Sequence, residues 1–196
     1  MLINKPYNRA RAVEYAGKWA LSRNPLFVDF TGGGGNCTNF VSQCILAGCG
    51  VMDFTPTFGW YYRDINNRAP AWSGVDELYG YLTGSGGFAG QDMVGPFATE
   101  VTMRRQIEIG DVIQLADGAG DFYHTLIISG FEGNDILICA HSNDALDRRL
   151  STYNYSSLRV LHIEGVLVDL AQDDAFQNLL DGTALQVIVS QTENVV

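Results

Sequence analysis

Helical periodicity and strand-like runs occupy different parts of this sequence. Across residues 7–22, Val13, Ala16, Trp19 and Ala20 recur at helical spacing, with Arg9, Arg11, Glu14 and Lys18 between them. Asn24-Pro25 ends that segment. Residues 37–47 read as a second helix, with Phe40, Val41, Cys44 and Ile45 on one face and Gly48 as its stop. After Gly110 the texture changes. Residues 111–115, 124–131, 135–141 and 158–163 are short β-branched runs separated by turn residues. Residues 166–170 and 185–189 extend that series, with a short helix between them. Residues 49–105 read as a long irregular insertion, rich in aromatics and glycine, with a short helix at 75–82. Helices first and antiparallel strands after, without βαβ alternation, is an α+β pattern.

The chain has 196 residues, 46% of them hydrophobic, enough for one domain with a full core. We place the domain at residues 1–165 and read 166–196 as a C-terminal extension packed on it. The net charge of −10 argues against nucleic acid or an anionic membrane as partner, since both select clustered Lys and Arg. No apolar run approaches the roughly 20 residues of a membrane helix. The N-terminal stretch has no apolar signal core, so a cytoplasmic location is expected, or a secreted or released one if a leader was removed or lysis delivers the protein. The sequence does not specify an oligomeric state.

Four cysteines are present: Cys37, Cys44, Cys49 and Cys139. Cys37 and Cys44 lie about two turns apart on one helix, roughly 10 Å by the helical rise. A disulfide needs Cα atoms within about 7 Å, so that pair is excluded. The spacing is not a zinc pattern, and no metal site is expected. Cys44, Cys49 and Cys139 sit among apolar neighbours and read as core.

Cys37 differs. It follows Gly32 to Gly35 and Asn36, and it opens a helix. A helix start offers unpaired N–H groups and partial positive charge, which favour a thiolate and stabilise an oxyanion. The glycines let backbone approach a ligand closely. A nucleophilic cysteine needs a base. His124 opens the run "HTLIISGF", His141 closes "ILICAHSNDA", and His162 lies within "LRVLHIEG".

The segments "YNRARAVEYAGKWALSRNP", "NCTNFVSQCILAG", "GWYYRD", "AWSGVDELYGYL", "IGDVIQL", "FYHTLIISG" and "AHSNDALDRRLSTY", in that order over residues 5–165, resemble an amidase domain family of bacterial proteins. That family is similar to the NlpC/P60 and CHAP branches of the papain-like cysteine peptidases. The resemblance implies a papain-like (NlpC/P60-type) α+β fold, with a helix-borne Cys packed on an antiparallel β-sheet. It implies Cys37 as nucleophile, His124 as base, His141 as the third, orienting residue, and hydrolysis of amide bonds in peptidoglycan-type peptides without a cofactor. The family pattern has Asp before the cysteine, where this chain has Asn36.

The expected activity is therefore a cysteine amidase or peptidase acting on a peptide or amide substrate. An acyltransferase or deamidase built on the same thioester is the alternative enzyme, and a catalytically silent binding module the alternative without chemistry. Asn36 is a candidate oxyanion donor beside the Cys37 N–H. Trp60, Tyr61 and Tyr62 are candidates for the cleft wall, against a reading of them as aromatic core. Asn143 and Asp144 compete with His141 for the third position. A two-residue turn at Gly133 and Asn134 suits a II′ hairpin and pairs His124 with Asn143 and Leu126 with His141. His141 then shares a face with His124, while a three-residue loop would bring Asp144 there instead.

Overall fold

The computed structural model describes residues 3–90, 93–102, 106–168 and 176–183. It is a mixed α/β fold whose antiparallel sheet curls into a half-barrel. In chain order its elements are β1 (Ile3–Lys5), α1 (Arg9–Trp19), α2 (Cys37–Cys49), β2 (Tyr62–Asp64), β3 (Asn67–Arg68), α3 (Pro70–Ser73), α4 (Val75–Thr83), β4 (Gly95–Val101), β5 (Val112–Ala116), β6 (Phe122–Glu132), β7 (Asp135–Ala140), β8 (Ala145–Arg149), β9 (Ser157–Val168) and α5 (Phe176–Asp181). Strands β5 to β8 are consecutive neighbours, each paired antiparallel with the next. Long β9 carries β4 on one edge, and on the other β5 followed by β1.

Both predicted helices form. The Asn8 side chain caps α1 by accepting from the Arg11 N–H at 3.1 Å. Helix α2 runs past Gly48 and ends at Gly50, whose φ of 74° supplies the left-handed cap. Gly48 is needed for another reason: a Cβ there would overlap the Tyr7 ring. The segment read as irregular holds the small β2–β3 hairpin, α3, α4 and β4. Short, glycine-interrupted elements leave little periodicity to read, and β4 exists because β9 offers it an edge.

Two apolar cores lie on opposite faces of the sheet. Phe40, Val41, Ile45 and Leu46 of α2 pack with α1 and with Ile127, Cys139 and Leu161. Ile113, Leu115, Leu126, Ile128, Ile138 and Ala140 form the second core. Every residue of α2 from Cys37 to Gly48 is buried, so its polar side chains are all paired. Gln43 accepts from Tyr15 Oη at 2.8 Å. Ser42 donates to Trp72 O at 2.9 Å and accepts from Trp60 Nε1 at 3.0 Å. Asn39 accepts from Trp72 Nε1 at 2.8 Å.

A buried carboxylate fixes α1 to the sheet. Asp111, fully buried, accepts from Arg9 Nη1 at 2.6 Å, Glu108 N at 2.8 Å and Ile163 N at 3.1 Å, and contacts His162 Nδ1 at 2.8 Å. His162 thus belongs to a structural brace. Val166 to Val168 lie within β9. The end of α5 docks on the first helix, with Leu180 O accepting from Trp19 Nε1 at 2.9 Å. The strand expected at residues 185–189 lies outside the described residues, as do 169 and 170 of the one expected at 166–170.

Candidate active site

Cys37 is the first residue of α2, 7% exposed. The approach through Gly32, Gly34 and Gly35 has φ values of 86°, 117° and 101°, a run that only glycine accepts without strain. It ends where the Asn36 N–H donates to Ser142 Oγ at 2.6 Å. Asn36 occupies the cap position, yet its side chain makes no capping bond. Its Oδ1 accepts from Phe30 N at 3.1 Å and Asn39 Nδ2 at 2.7 Å, and its Nδ2 donates to His141 Nδ1 at 2.8 Å. The first-turn N–H groups beside the Cys37 sulfur are therefore left without a side-chain cap.

His124 stands near the start of β6 and is 6% exposed. Burial first, then the nearby positive charge of Arg148, pushes its pKa down to about 4. The ring is thus neutral at ordinary pH and able to accept a proton. Its Nε2 is buried and has no hydrogen-bond partner among the described residues. Cys37 and His124 line one cleft of about 410 Å³, together with Gly34, Gly35, Tyr123, Ser142, Asn143, Arg148, Tyr153 and Asn154. Among the described residues the hydrogen-bonding neighbour of Cys37 Sγ is Thr38 Oγ1 at 3.9 Å, and no bond joins it to His124. Bonds of that kind often close only around substrate.

A second pair of side chains holds the two together. Thr38 follows Cys37, and Thr125 follows His124; their hydroxyls meet at 2.8 Å in the buried interior. Gln114 Nε2 donates to Thr125 Oγ1 at 3.4 Å, and its Oε1 accepts from Arg159 Nε at 2.6 Å.

The expected face for His141 is corrected. The turn has the predicted two residues, since Glu132 pairs with Asp135 and Gly130 with Leu137. An irregularity between Ile128 and Gly130 then shifts the register by one, and Ile127 pairs with Cys139. One residue of slip exchanges the faces, so His141 lies on the side of Thr125 and not of His124. Its Nε2–H donates to Trp19 O at 2.9 Å, which fixes the tautomer, and its Nδ1 accepts from Asn36. The ring stacks on Phe40 at 4.0 Å between centroids. Burial lowers its pKa below the usual histidine value.

The remaining candidates separate. Asn143, at φ 101°, lines the cleft. Asp144 does not reach His124: its carboxylate accepts from both Nη atoms of Arg23, at 2.9 and 3.0 Å. The Asn36 amide is committed to His141 and does not line the cleft. Trp60, Tyr61 and Tyr62 do not wall it either. Trp60 is fully buried against Trp72 and Tyr81, Tyr62 Oη accepts from Val28 N at 3.1 Å, and Tyr61 packs on Phe54. Sequence reading missed Arg148, Tyr153, Ser142 and the Thr38–Thr125 pair. Nothing local marks them, because they reach the site by turns and register. Among the described residues no group of three His, Cys, Asp or Glu is placed to hold a metal, and no helix is long and apolar enough to cross a membrane.

A family model described as "Putative amidase domain" matches residues 6–163. "Uncharacterized protein YhbB" of Bacillus subtilis (strain 168) is 32% identical over 143 residues, 71% of this chain and 42% of that protein. The chain thus spans well under half the length of this curated relative. No solved structure matches the chain.

Proposed function

The chain belongs to this amidase domain family, and from that premise we propose that it is a papain-like cysteine amide hydrolase, with Cys37 as nucleophile and His124 as base. The observation that carries the reading is the shared cleft: a cysteine at a helix start without a side-chain cap, and a neutral histidine whose buried Nε2 has no partner among the described residues, line it together. In the reaction His124 takes the Cys37 proton, and the sulfur adds to the amide carbonyl carbon. First-turn N–H groups of α2 hold the oxyanion. Collapse breaks the C–N bond, and the imidazolium returns its proton to the departing amine. Water, deprotonated by His124, then cleaves the thioester and restores the thiol.

His141 takes a different part from that of a direct triad member. It holds Asn36, and so the entry to α2, and is a positioning residue for Cys37. Peptidoglycan-type peptides are the substrate class that the family resemblance favours.

Iodoacetamide with peptide mapping tests the assignment. Cys37 is expected to react at least ~10-fold faster than the other three cysteines near neutral pH. Burial pushes Cys44 and Cys139 up, and Cys49 up to about 12. His124→Gln should slow Cys37 selectively. Equal rates at all four cysteines would remove Cys37 from the mechanism.

A further inference from the structure

Arg148 is a fixed cation in the wall of the cleft that holds Cys37 and His124. Its Nε donates to Thr152 Oγ1 at 2.9 Å and its Nη2 to Thr152 O at 3.1 Å. Its guanidinium lies over the Tyr153 ring, 3.9 Å from the centroid. These contacts orient the group without neutralising it. Of the charged residues near it in sequence, Asp144 pairs with Arg23, Arg149 pairs with Glu132, and Asp147 accepts from Ser129 Oγ at 2.7 Å. Among the described residues no carboxylate pairs with Arg148. In a chain of net charge −10, an oriented and unpaired guanidinium beside a candidate nucleophile is conspicuous. A buried polar atom lining the same cleft, His124 Nε2, also has no partner among the described residues. An unsatisfied group of this kind points to a ligand that completes it.

Resting on the hydrolase reading above, the geometry points to Arg148 as a carboxylate-binding residue: the substrate amide carries a free carboxylate close to the scissile bond. Arginine is suited to this, since its planar fork matches a carboxylate and stays charged at every working pH. The cleft volume fits a ligand of one or two amino-acid units. The carboxylate is either the terminus of a short peptide or an acidic side chain, and both present the same group to Arg148.

Iodoacetate and iodoacetamide deliver the same carbon to Cys37 and differ in charge. The ratio of their rates at Cys37 is expected to fall about tenfold in Arg148→Gln, the low end of what a charge-assisted hydrogen bond is worth. Arg148→Lys, which keeps the charge, should restore part of it. A ratio unchanged by Arg148→Gln overturns the proposal. If Cys37 resists both reagents, the hydrolase reading fails, and the carboxylate site is judged separately. The Arg148 Nε–H resonance is then followed during titration with N-acetylalanine, N-acetylglutamate α-amide and neutral N-acetylalaninamide. A saturable shift with an acid and none with the neutral amide supports the site, and the acid that produces it identifies the source of the carboxylate. No shift with either acid overturns it.

Discussion

Thr38 and Thr125 show how single hydroxyls set the site. Each follows a proposed reacting residue, and their 2.8 Å bond ties the first turn of α2 to β6. Thr125→Val leaves the buried Thr38 hydroxyl without its partner, a loss of about 1–3 kcal/mol. Changing both to Val removes the pair together and should recover much of that stability. It should not recover Cys37 alkylation, because the tie between the two segments is gone. Unfolding and alkylation rates measured around this cycle check the prediction; full recovery of both would make the pair merely structural. His141 and Asp144 form the second contrast. His141→Ala deletes bonds to Asn36 and Trp19 O and a ring stacked on Phe40. It should cost about 3 kcal/mol or more and slow Cys37. Asp144→Asn weakens a part-exposed pair with Arg23 and should cost under about 1 kcal/mol. Thermal unfolding of the two variants ranks them.

At the scale of elements, α2 is the member on which the others are placed. It is buried along its length, and its polar residues Asn39, Ser42 and Gln43 are partnered by Trp72, Trp60 and Tyr15. Gly48 and Gly50 act on it differently. Gly48→Ala forces a methyl group into the Tyr7 ring and the Asn8 carbonyl, and should destabilise by about 1–3 kcal/mol through overpacking. Gly50→Ala meets open space but a φ of 74°, and should cost about 1–2 kcal/mol from the left-handed backbone alone. Tyr7→Leu should relieve the first substitution and leave the second unchanged. Urea unfolding of the singles and doubles separates the two causes.

For the whole molecule, two buried histidines make stability depend on acidity. His124 is pushed down to about 4 by burial and by Arg148, and His141 is lowered mainly by burial. An unfolded histidine titrates near ~6.5. Between those values the unfolded chain binds a proton that the folded chain refuses. Stability is therefore complete above about pH 6.5 and is lost as pH falls toward about 4. For His124 the loss is about 3 kcal/mol. Urea midpoints measured at about pH 7 and about pH 4.5 should differ less in His124→Gln than in the unmodified protein. An unchanged difference would assign the acid lability to other groups.

The helices around Tyr15 and Phe40, the strand texture after Gly110, and the cysteine set at a helix start were legible because they are local. Periodicity, β-branching and turn residues act over a few neighbours, and the sequence determined them, including the two-residue turn at Gly133 and Asn134. Tertiary structure decided which side chains meet. The bulge near Ser129 moves His141 to the face of Thr125, and no residue pattern announces it, since a bulge is selected by how two paired strands twist together. Trp60 became core because α2 buries Ser42, whose hydroxyl takes the indole N–H, and Tyr62 because its hydroxyl takes the Val28 N–H of the segment before α2. Arg148 entered the cleft from β8, where it pairs with Ile138 of β7, a placement set by strand register across the sheet. Local sequence fixes what each residue is able to do, and long-range packing fixes what stands within reach of it.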